Sequence, residues 1–362
     1  MTFGSIVGAI LVLAACVLLH ELGHFVSALA LGIPVEEFSI GFGPRLVQFR
    51  FRGIKYSLRL IFLGGYVRYA MDESDVVGAP GEPAPGAEEA AAGRRTYLSQ
   101  PAWRRFISVL CGPLMNFVLA FAVAVALYAT LGNPMTVPRI AQYATDSAAY
   151  AAGIQPGDII VAVDGSEVSY DTDGAQRVVE AISACGGQAL DIAVERGGER
   201  VELSVTPAYD SASGRYMIGV TFGTAYSPCS PGEALSRAGS YLVNVTNEMY
   251  RSLGSLFTSS VPIDEQLTGP VGTVQIISEN VQRGGLDTLN IIMLISLNFG
   301  ILNLLPIPGL DGSKLVFLII EMIRRKPIAP SREAVVNLIG LALLFGLMIF
   351  VTYKDVAKLI TG

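Results

Sequence analysis

Four long apolar stretches constrain the fold of this chain more than any other feature. They lie at about residues 4–31, 106–131, 287–322 and 334–352. Each of them approaches or exceeds the ~20 residues that an α-helix needs to cross the hydrocarbon core of a bilayer. Only 15% of the 362 residues are charged, whereas soluble proteins carry about a quarter. We therefore expect an α-helical polytopic membrane protein with about four transmembrane segments.

The third stretch is too long for one straight helix, and Pro306-Ile307-Pro308-Gly309 interrupts it. Proline removes a backbone donor and disfavours helix in the residue before it. A broken helix at membrane depth is tolerated only where it faces protein or a wet cavity. This break therefore indicates a functional interior.

The first stretch contains an H-E-x-x-H motif at His20-Glu21-Leu22-Gly23-His24, directly after residues 3–19, which carry no charge. On a helix the two histidines lie ~6 Å apart along the axis and ~40° apart around it. They could hold one metal ion, with Glu21 in reach of a water on that ion. The alternative is a chance motif whose histidines only pack between helices. Ionisable groups inside a bilayer usually mark a functional site, which favours the metal.

These are the only two histidines in the chain, so a third ligand must be another residue type. Cys16 shares the helix face of His20 but lies ~12 Å from His24 along the axis, too far for one zinc. Of the few carboxylates in the predicted spans, Asp311 follows the Pro-Gly break directly. With both histidines it would leave the open fourth position of a catalytic zinc site. Asp311 could instead serve only as the N-cap of the next helix.

Positive charge predicts the orientation of the spans. Ten Lys and Arg residues lie between the first two spans, and Arg324-Arg325-Lys326 lies between the last two. Both connections are therefore expected on the cytoplasmic side, and the long middle segment outside. We expect Glu321 to pair with Arg325, four residues further on. The basic residues form no cluster suited to nucleic acid, so we predict no nucleic-acid partner.

The connection after the first span predicts a β-hairpin. Arg45–Phe51 and Tyr56–Phe62 resemble strands joined around Gly53, preceded by a glycine-rich turn at Phe38–Pro44. Residues 73–93 are rich in Pro, Gly, Ala and Glu, and they predict a mobile loop. The hairpin could contact a membrane or substrate, or could be a structural plug.

Beyond the second span, residues 136–224 predict short strands and one helix at 174–184, in an order that looks like a permuted PDZ domain. A helix follows, with Ser230 as N-cap, Pro231 as first residue and Glu233 as capping-box partner. Cys185 and Cys229 would be able to form a disulfide if this region is extracytoplasmic.

These predictions divide the chain into seven segments. They are the first span with H-E-x-x-H (1–35), the cytoplasmic-side hairpin and loop (36–104), the second span (105–132), the PDZ-like α+β domain (136–224), an extracytoplasmic amphipathic helix with its connector (230–285), the broken third span with N-L-L-P-I-P-G-L-D-G (286–323) and the fourth span (334–353).

Seven motifs in this order resemble the site-2 proteases, which are zinc intramembrane metalloproteases, and among them the RseP type. They are His20–Phe25, Gly41–Pro44, Gly64–Arg68, Gly112–Asn116, the PDZ-like Ala152–Asp158, Gly269–Gly272 and Asn303–Gly312. The chain has room for one PDZ domain where Gram-negative members carry two, which favours a Gram-positive type. Gly309 and Ser313 stand where relatives often have Ala and Gly.

The resemblance implies that His20, His24 and Asp311 bind one Zn²⁺ per chain, that Glu21 is the catalytic base and that Asn303 holds the substrate backbone. A simple hydrogen bond between helices is the alternative role for Asn303. The hairpin then looks like the family's membrane-dipping element, whose edge strand can pair with an unwound substrate.

The implied function is hydrolysis of peptide bonds within or near transmembrane segments of proteins in a bacterial cytoplasmic membrane. The partners would be the lipid bilayer and substrates such as anti-sigma factors or remnant signal peptides. The PDZ-like domain could bind a peptide, filter substrates by size or merely pack on the membrane core. The alternative function is a non-catalytic membrane adaptor with a PDZ domain and a structural metal site.

Overall fold

The structure, a computed structural model, describes residues 2–70, 96–211, 213–255 and 269–361. The loop predicted at 73–93 lies outside these ranges. The chain divides into two compact units, one formed by Met1–Leu127 with Ala238–Gly362 and the other by Tyr128–Arg237.

The described elements follow one another along the chain as α1 (Phe3–Ala30), β1 (Val35–Phe51), β2 (Ile54–Tyr69), α2 (Ala102–Leu131), β3 (Asn133–Tyr143), α3 (Ala148–Ala151), β4 (Ile159–Val163), β5 (Ser166–Glu167), α4 (Thr172–Ala184), β6 (Leu190–Arg196), β7 (Glu199–Val205), β8 (Ala208–Asp210), β9 (Arg215–Met217), β10 (Val220–Ser227), α5 (Pro231–Ser255), α6 (Pro270–Arg283), α7 (Gly285–Leu304), α8 (Asp311–Arg324) and α9 (Pro330–Thr361).

Within these ranges, four helices are long and apolar enough to cross a membrane, as the sequence predicted. They are α1, α2, α7 and the Ser331–Asp355 part of α9. The predicted break in the third span separates α7 from α8. Gly309, with a φ of 95°, lies in this connection, and only glycine adopts such a conformation without strain.

The hairpin of β1 and β2 forms a sheet of four strand segments, because each of the two long strands contributes two segments. Residues 35–40 of β1 pair with residues 65–69 of β2 on one side and with residues 55–58 on the other. The second half of β1 pairs with the first half of β2. Each strand therefore bends back on the sheet, and the segments 45–51 and 65–69 form its two edges.

Two glycines explain why the predicted turn at Phe38–Pro44 is part of β1. Gly41 and Gly43 have φ angles of 87° and 81°, which glycine adopts readily. A Cβ at Gly41 would also stand 2.7 Å from the carbonyl oxygen of Ile61. The prediction of a turn was wrong because these glycines bend the strand without ending it.

The buried carboxylate of Glu37 holds the segments of the hairpin together. Its Oε1 accepts hydrogen bonds from Ser57 Oγ at 2.7 Å and Arg59 Nη2 at 3.1 Å, and its Oε2 pairs with Arg68 Nη2 at 2.7 Å. Burial raises the pKa of Glu37, but these hydrogen bonds and the charge of Arg68 outweigh it and lower the pKa to about 2. One charged group thus ties both strands together.

The second unit has its own core, built on a sheet with the strand order β10-β3-β4-β6-β7. Ile160, Ile192 and Val194 are fully buried and pack with Val178 and Ile182 of α4. This unit therefore folds around a hydrophobic centre separate from the membrane helices.

Polar contacts also shape the second unit. The carboxylate of Asp158 forms a two-pronged pair with Arg196, at 2.8 and 2.7 Å. Cys185 and Cys229 are free thiols, so the structure does not contain the disulfide considered above.

Two further predictions can be compared with the structure. The capping box of α5 is confirmed, since Ser230 N donates to Glu233 Oε2 at 2.8 Å and Glu233 N donates to Ser230 Oγ at 3.3 Å. The pairing of Glu321 with Arg325 is wrong. Glu321 pairs with the buried Arg105 of α2 instead, because packing between helices offers it a cation that sequence spacing does not reveal.

The Glu37 network predicts a specific pH dependence of stability. Because the pKa of about 2 in the folded protein lies below its ordinary value of 4.5, the stabilisation is complete above about pH 4.5 and is lost as the pH falls towards 2. The shift corresponds to roughly 3 kcal/mol. We expect Glu37→Gln to lower the free energy of unfolding by about this amount at pH 7, measured by unfolding of the full chain in detergent micelles.

Glu36→Gln is the matched control. The neighbouring Glu36 is about half exposed and pairs with Arg68 at 3.3 Å, so its loss should change stability by less than about 1 kcal/mol. Equal losses for the two variants would contradict a specific role of Glu37.

Candidate metal centre

The H-E-x-x-H segment lies in the last third of α1, and both of its imidazoles are buried. His20 and His24 are each 7% exposed, and their Nε2 atoms are 3.3 Å apart. The two nitrogens are this close because α1 is unbroken here, and residues four apart in a helix lie on the same face. The two nitrogens therefore point at a common position.

Asp311 joins them from the beginning of α8. Its Oδ2 lies 3.0 Å from the Nε2 atoms of both His20 and His24. The N-cap of α8 is Leu310, and Asp311 is the first helical residue. The alternative in which Asp311 serves only as an N-cap is therefore wrong. The turn between α7 and α8 instead directs this carboxylate at the histidines.

The three donor atoms have the spacing that a metal ion requires. Their separations are 3.0, 3.0 and 3.3 Å, and the donors of a tetrahedral zinc with bonds of ~2.0–2.1 Å lie ~3.3 Å apart. Two imidazoles and a carboxylate are also a common donor set for catalytic zinc. Within the described ranges, this is the one group of three such side chains close enough to hold an ion.

The tautomer of His24 strengthens this fit. Its Nδ1 lies 2.9 Å from the carbonyl oxygen of Ser108 in α2, and a carbonyl can only accept, so Nδ1 carries the proton. In the neutral ring Nε2 then presents a lone pair to Oδ2 of Asp311. Lone pairs converging in this way repel one another unless a cation lies between them.

Gly112 permits the approach of α2 to this ring. A Cβ at Gly112 would stand 2.2 Å from Nε2 of His24, and a Cβ at Gly23 would stand 2.2 Å from the carbonyl oxygen of Cys111. The two glycines therefore let α1 and α2 pack with their backbones almost in contact.

Asn116, one turn beyond Gly112, is a residue to which the sequence analysis assigned no role. It is fully buried, with Nδ2 3.3 Å from Nδ1 of His20. Its Oδ1 has no hydrogen-bond partner among the described residues. A 180° rotation of the amide exchanges the two atoms, and Oδ1 then accepts the Nδ1 proton of His20. The signal in the sequence was the one polar residue in the motif Gly112–Asn116.

Glu21, the residue after His20 in α1, is half-buried and is covered by the hairpin. A Cβ at Gly65 of β2 would stand 3.2 Å from Cγ of Glu21 and 2.8 Å from the carbonyl oxygen of Ser39. Glycine at this position therefore lets the strand lie directly on the glutamate.

The structure does not join Asn303 to this group. It lies in the last turn of α7 and is half-buried. In the described part of the chain it makes no hydrogen bond with the two histidines or with Asp311.

Comparison with known proteins identifies the family. A model of the family described as Peptidase family M50 matches residues 8–347, which is most of the chain. The chain belongs to peptidase family M50. This M50 peptidase is 30% identical to the regulator of sigma-W protease RasP of Bacillus subtilis, with 99% of the chain and 100% of the relative covered. It is 31% identical to the zinc metalloprotease RasP of Geobacillus kaustophilus, with 99% of each covered.

Family membership settles the class of activity. The protein is a site-2 protease, a zinc-dependent metalloprotease with several membrane-spanning helices. The comparisons do not favour the alternative of a non-catalytic adaptor. A solved PDZ domain of an SdrC-like protein from Listeria innocua matches with 26% identity and a TM-score of 0.20, covering 24% of this chain and 92% of that domain. A score this low leaves the PDZ assignment of residues 136–224 as a prediction.

The contact of Gly112 with the imidazole predicts that Gly112→Ala disrupts metal binding of this M50 peptidase. The added methyl group would overlap the His24 ring, so His24 or α2 must move by more than an ångström. We expect most of the bound zinc to be lost, as measured by elemental analysis of the purified protein. Gly346→Ala in α9 is the control, because a Cβ there meets no atom within 4 Å. Full zinc content in Gly112→Ala would contradict this prediction. It would show that α2 can move away from His24 without loss of the metal.

Asn116 predicts a second change in metal affinity. Asn116→Leu removes the acceptor for His20 Nδ1, and we expect zinc affinity to fall about 10- to 100-fold, measured by competition with a chelator. Asn116→Asp keeps an acceptor there and should retain tight binding. Asn280→Leu, on an exposed part of α6, controls for the loss of an asparagine. An unchanged affinity in Asn116→Leu would remove Asn116 from the support of the site.

Proposed function

We propose that His20, His24 and Asp311 are the zinc ligands of this protease and that Glu21 is its catalytic base. The observation that carries the proposal is the convergence of three donor atoms, 3.0–3.3 Å apart, in the membrane-spanning part of the chain. Zinc held there would act as a Lewis acid on water and on the substrate carbonyl.

Glu21 follows the first ligand directly along α1. In this role its carboxylate accepts a proton from the attacking water. The same proton then passes to the nitrogen of the leaving amine as the C–N bond breaks. The protein thus needs one carboxylate for both proton transfers, and the fixed backbone of β2 at Gly65 restricts its position.

The substrate must reach this carboxylate as an extended chain, because a transmembrane helix hides its carbonyl groups in hydrogen bonds between residues i and i−4. The segment 65–69 is an edge of the hairpin sheet, and it begins at the residue that touches Glu21. A substrate strand added to this edge would bring its peptide bonds to the catalytic base. We include Asn303 in the proposal as a residue that holds the substrate backbone.

The substrate class follows from the membrane location and from the relatives. We propose that the protein cuts within or near transmembrane segments, in anti-sigma factors or remnant signal peptides. The name of the Bacillus subtilis relative, regulator of sigma-W protease, supports the first of these. We further propose that residues 136–224 form an extracytoplasmic PDZ-like domain that filters substrates by size.

A pair of variants separates binding of zinc from catalysis. We expect Glu21→Gln to keep its zinc and to lose cleavage of a model transmembrane substrate by at least ~10²-fold, because the base contributes that much. We expect Asp311→Asn to lose zinc as well as activity. Zinc content comes from elemental analysis, and cleavage is followed with the full-length protein in detergent micelles or proteoliposomes.

Asp287→Asn is the matched control, since Asp287 lies in the first turn of α7, at the far end of that helix from the break before Asp311. It should retain both zinc and activity. Full activity in Glu21→Gln would refute the proposed base, and wild-type zinc content in Asp311→Asn would remove Asp311 from the ligands.

A further inference from the structure

The tip of the hairpin, residues 45–55, carries a concentrated positive charge. It contains the four cations Arg45, Arg50, Arg52 and Lys55 and no acidic residue. In the described part of the chain none of these four side chains forms an ion pair. A net charge of +4 within eleven residues is unusual in a chain whose overall charge is −6.

The strand register increases this imbalance. Arg50 lies directly opposite Lys55 across the hairpin, and like charges in such a position destabilise a sheet. On its other side Lys55 lies opposite Glu37, on the neighbouring segment. Its two carboxylate oxygens are occupied by Ser57, Arg59 and Arg68. Among the residues that the structure describes, the two opposed cations therefore have no counter-ion.

The other face of the same strand is apolar and open. Val47, Phe49 and Phe51 alternate with the cations and are 56%, 59% and 57% exposed. Phe49 stacks on Tyr56 of the partner strand, with ring centroids 5.1 Å apart. Large apolar side chains exposed in this way are unfavourable in water but fit the boundary between lipid headgroups and acyl chains.

We propose that this tip binds the phosphodiester headgroups of anionic phospholipids. The apolar row would lie against the acyl chains, and Arg45, Arg50 and Lys55 would reach outward to the phosphates. A lipid surface offers phosphates to the cations and acyl chains to the apolar side chains at the same time. It is also close by, because the adjacent helices α1 and α2 span the membrane. The contact would anchor the hairpin that covers Glu21. The proposal rests on the location of the protein in a membrane and not on the assignment of its catalytic residues.

The first experiment titrates the purified full-length protein in detergent with phosphatidylglycerol and with phosphatidylcholine of the same acyl chains, and native mass spectrometry counts the bound lipids. We expect tighter binding of phosphatidylglycerol. Arg50→Gln/Lys55→Gln should weaken it about 10- to 30-fold, since each basic residue near an anionic lipid contributes roughly tenfold or less. Arg50→Lys keeps the charge and should keep the preference.

Arg200→Gln/Arg215→Gln is the matched control. It removes two cations from the second unit and should leave lipid binding unchanged. Equal affinity of the wild type for the two lipids would overturn the proposal. So would a preference that survives Arg50→Gln/Lys55→Gln, or one that the control variant loses to the same degree.

Four further measurements use the wild type or an active-site variant, so they do not depend on the folding of the tip variants. Added salt should reduce the preference for phosphatidylglycerol, because exposed charges are screened over ~10 Å at 0.1 M ionic strength. An excess of inorganic phosphate or of poly-glutamate should compete poorly. Strong competition by inorganic phosphate would indicate a site for free phosphate. Strong competition by poly-glutamate would indicate an acidic protein partner. Either result would overturn the lipid proposal.

Glu21→Gln should bind phosphatidylglycerol as tightly as the wild type does. This variant separates the present proposal from the catalytic one, because lipid binding is measured without a substrate. A loss of lipid binding in Glu21→Gln would contradict the independence of lipid binding from the proposed catalytic base.

Discussion

The close contact between α1 and α2 is the constraint on which the rest of the candidate centre depends. Gly23 and Gly112 bring the two backbones so near that a methyl group at either position would overlap an atom of the other helix. At this distance the carbonyl of Ser108 reaches Nδ1 of His24, and the amide of Asn116 reaches Nδ1 of His20. One interface between helices thus fixes both imidazoles from behind, which leaves their Nε2 atoms directed at the same point.

The break between α7 and α8 supplies the third donor by a different means. Helix α7 ends at Leu304, and the turn at residues 305–310 starts α8 with Asp311 in its first turn. The turn is held on both sides. Gly309 N donates to Oδ1 of Asn337 in α9, and Gly312 lies against the carbonyl oxygens of Leu304 and Leu305. Ser313 hydrogen-bonds to the same Asn337 at 3.2 Å. It therefore supports the turn without contacting the donors.

The hairpin of β1 and β2 contacts both the proposed catalytic base and the helix that supports His24. Inside the hairpin, the buried carboxylate of Glu37 holds the strands together. On its surface lie cations and exposed aromatic rings. At Gly65 it lies on Glu21, and through Tyr69 it reaches Ser108, the residue whose carbonyl holds His24. Displacement of this hairpin would therefore affect both the proposed base and the support of a proposed ligand. A contact between its tip and lipid headgroups would restrict such displacement.

Sequence alone determined the number and approximate limits of the spanning helices, because bilayer thickness sets the length of an apolar helix and composition reports it directly. It also predicted which residues could bind a metal, since two histidines on one helix face require a third donor and few carboxylates occur in the spans. Local rules were equally sufficient for the capping box of α5, which depends only on residues three positions apart.

Only the tertiary structure decided the interactions between distant segments. It paired Glu321 with Arg105 of α2, 216 residues away in the chain, where spacing had suggested Arg325. It made a bent strand of a predicted turn, and it brought Asn116 to His20 across 96 residues. The physical reason is the same in each case. Burial removes the water that would otherwise satisfy these polar groups, so their partners are chosen by which helices and strands pack together, and periodicity within one segment carries no record of that choice.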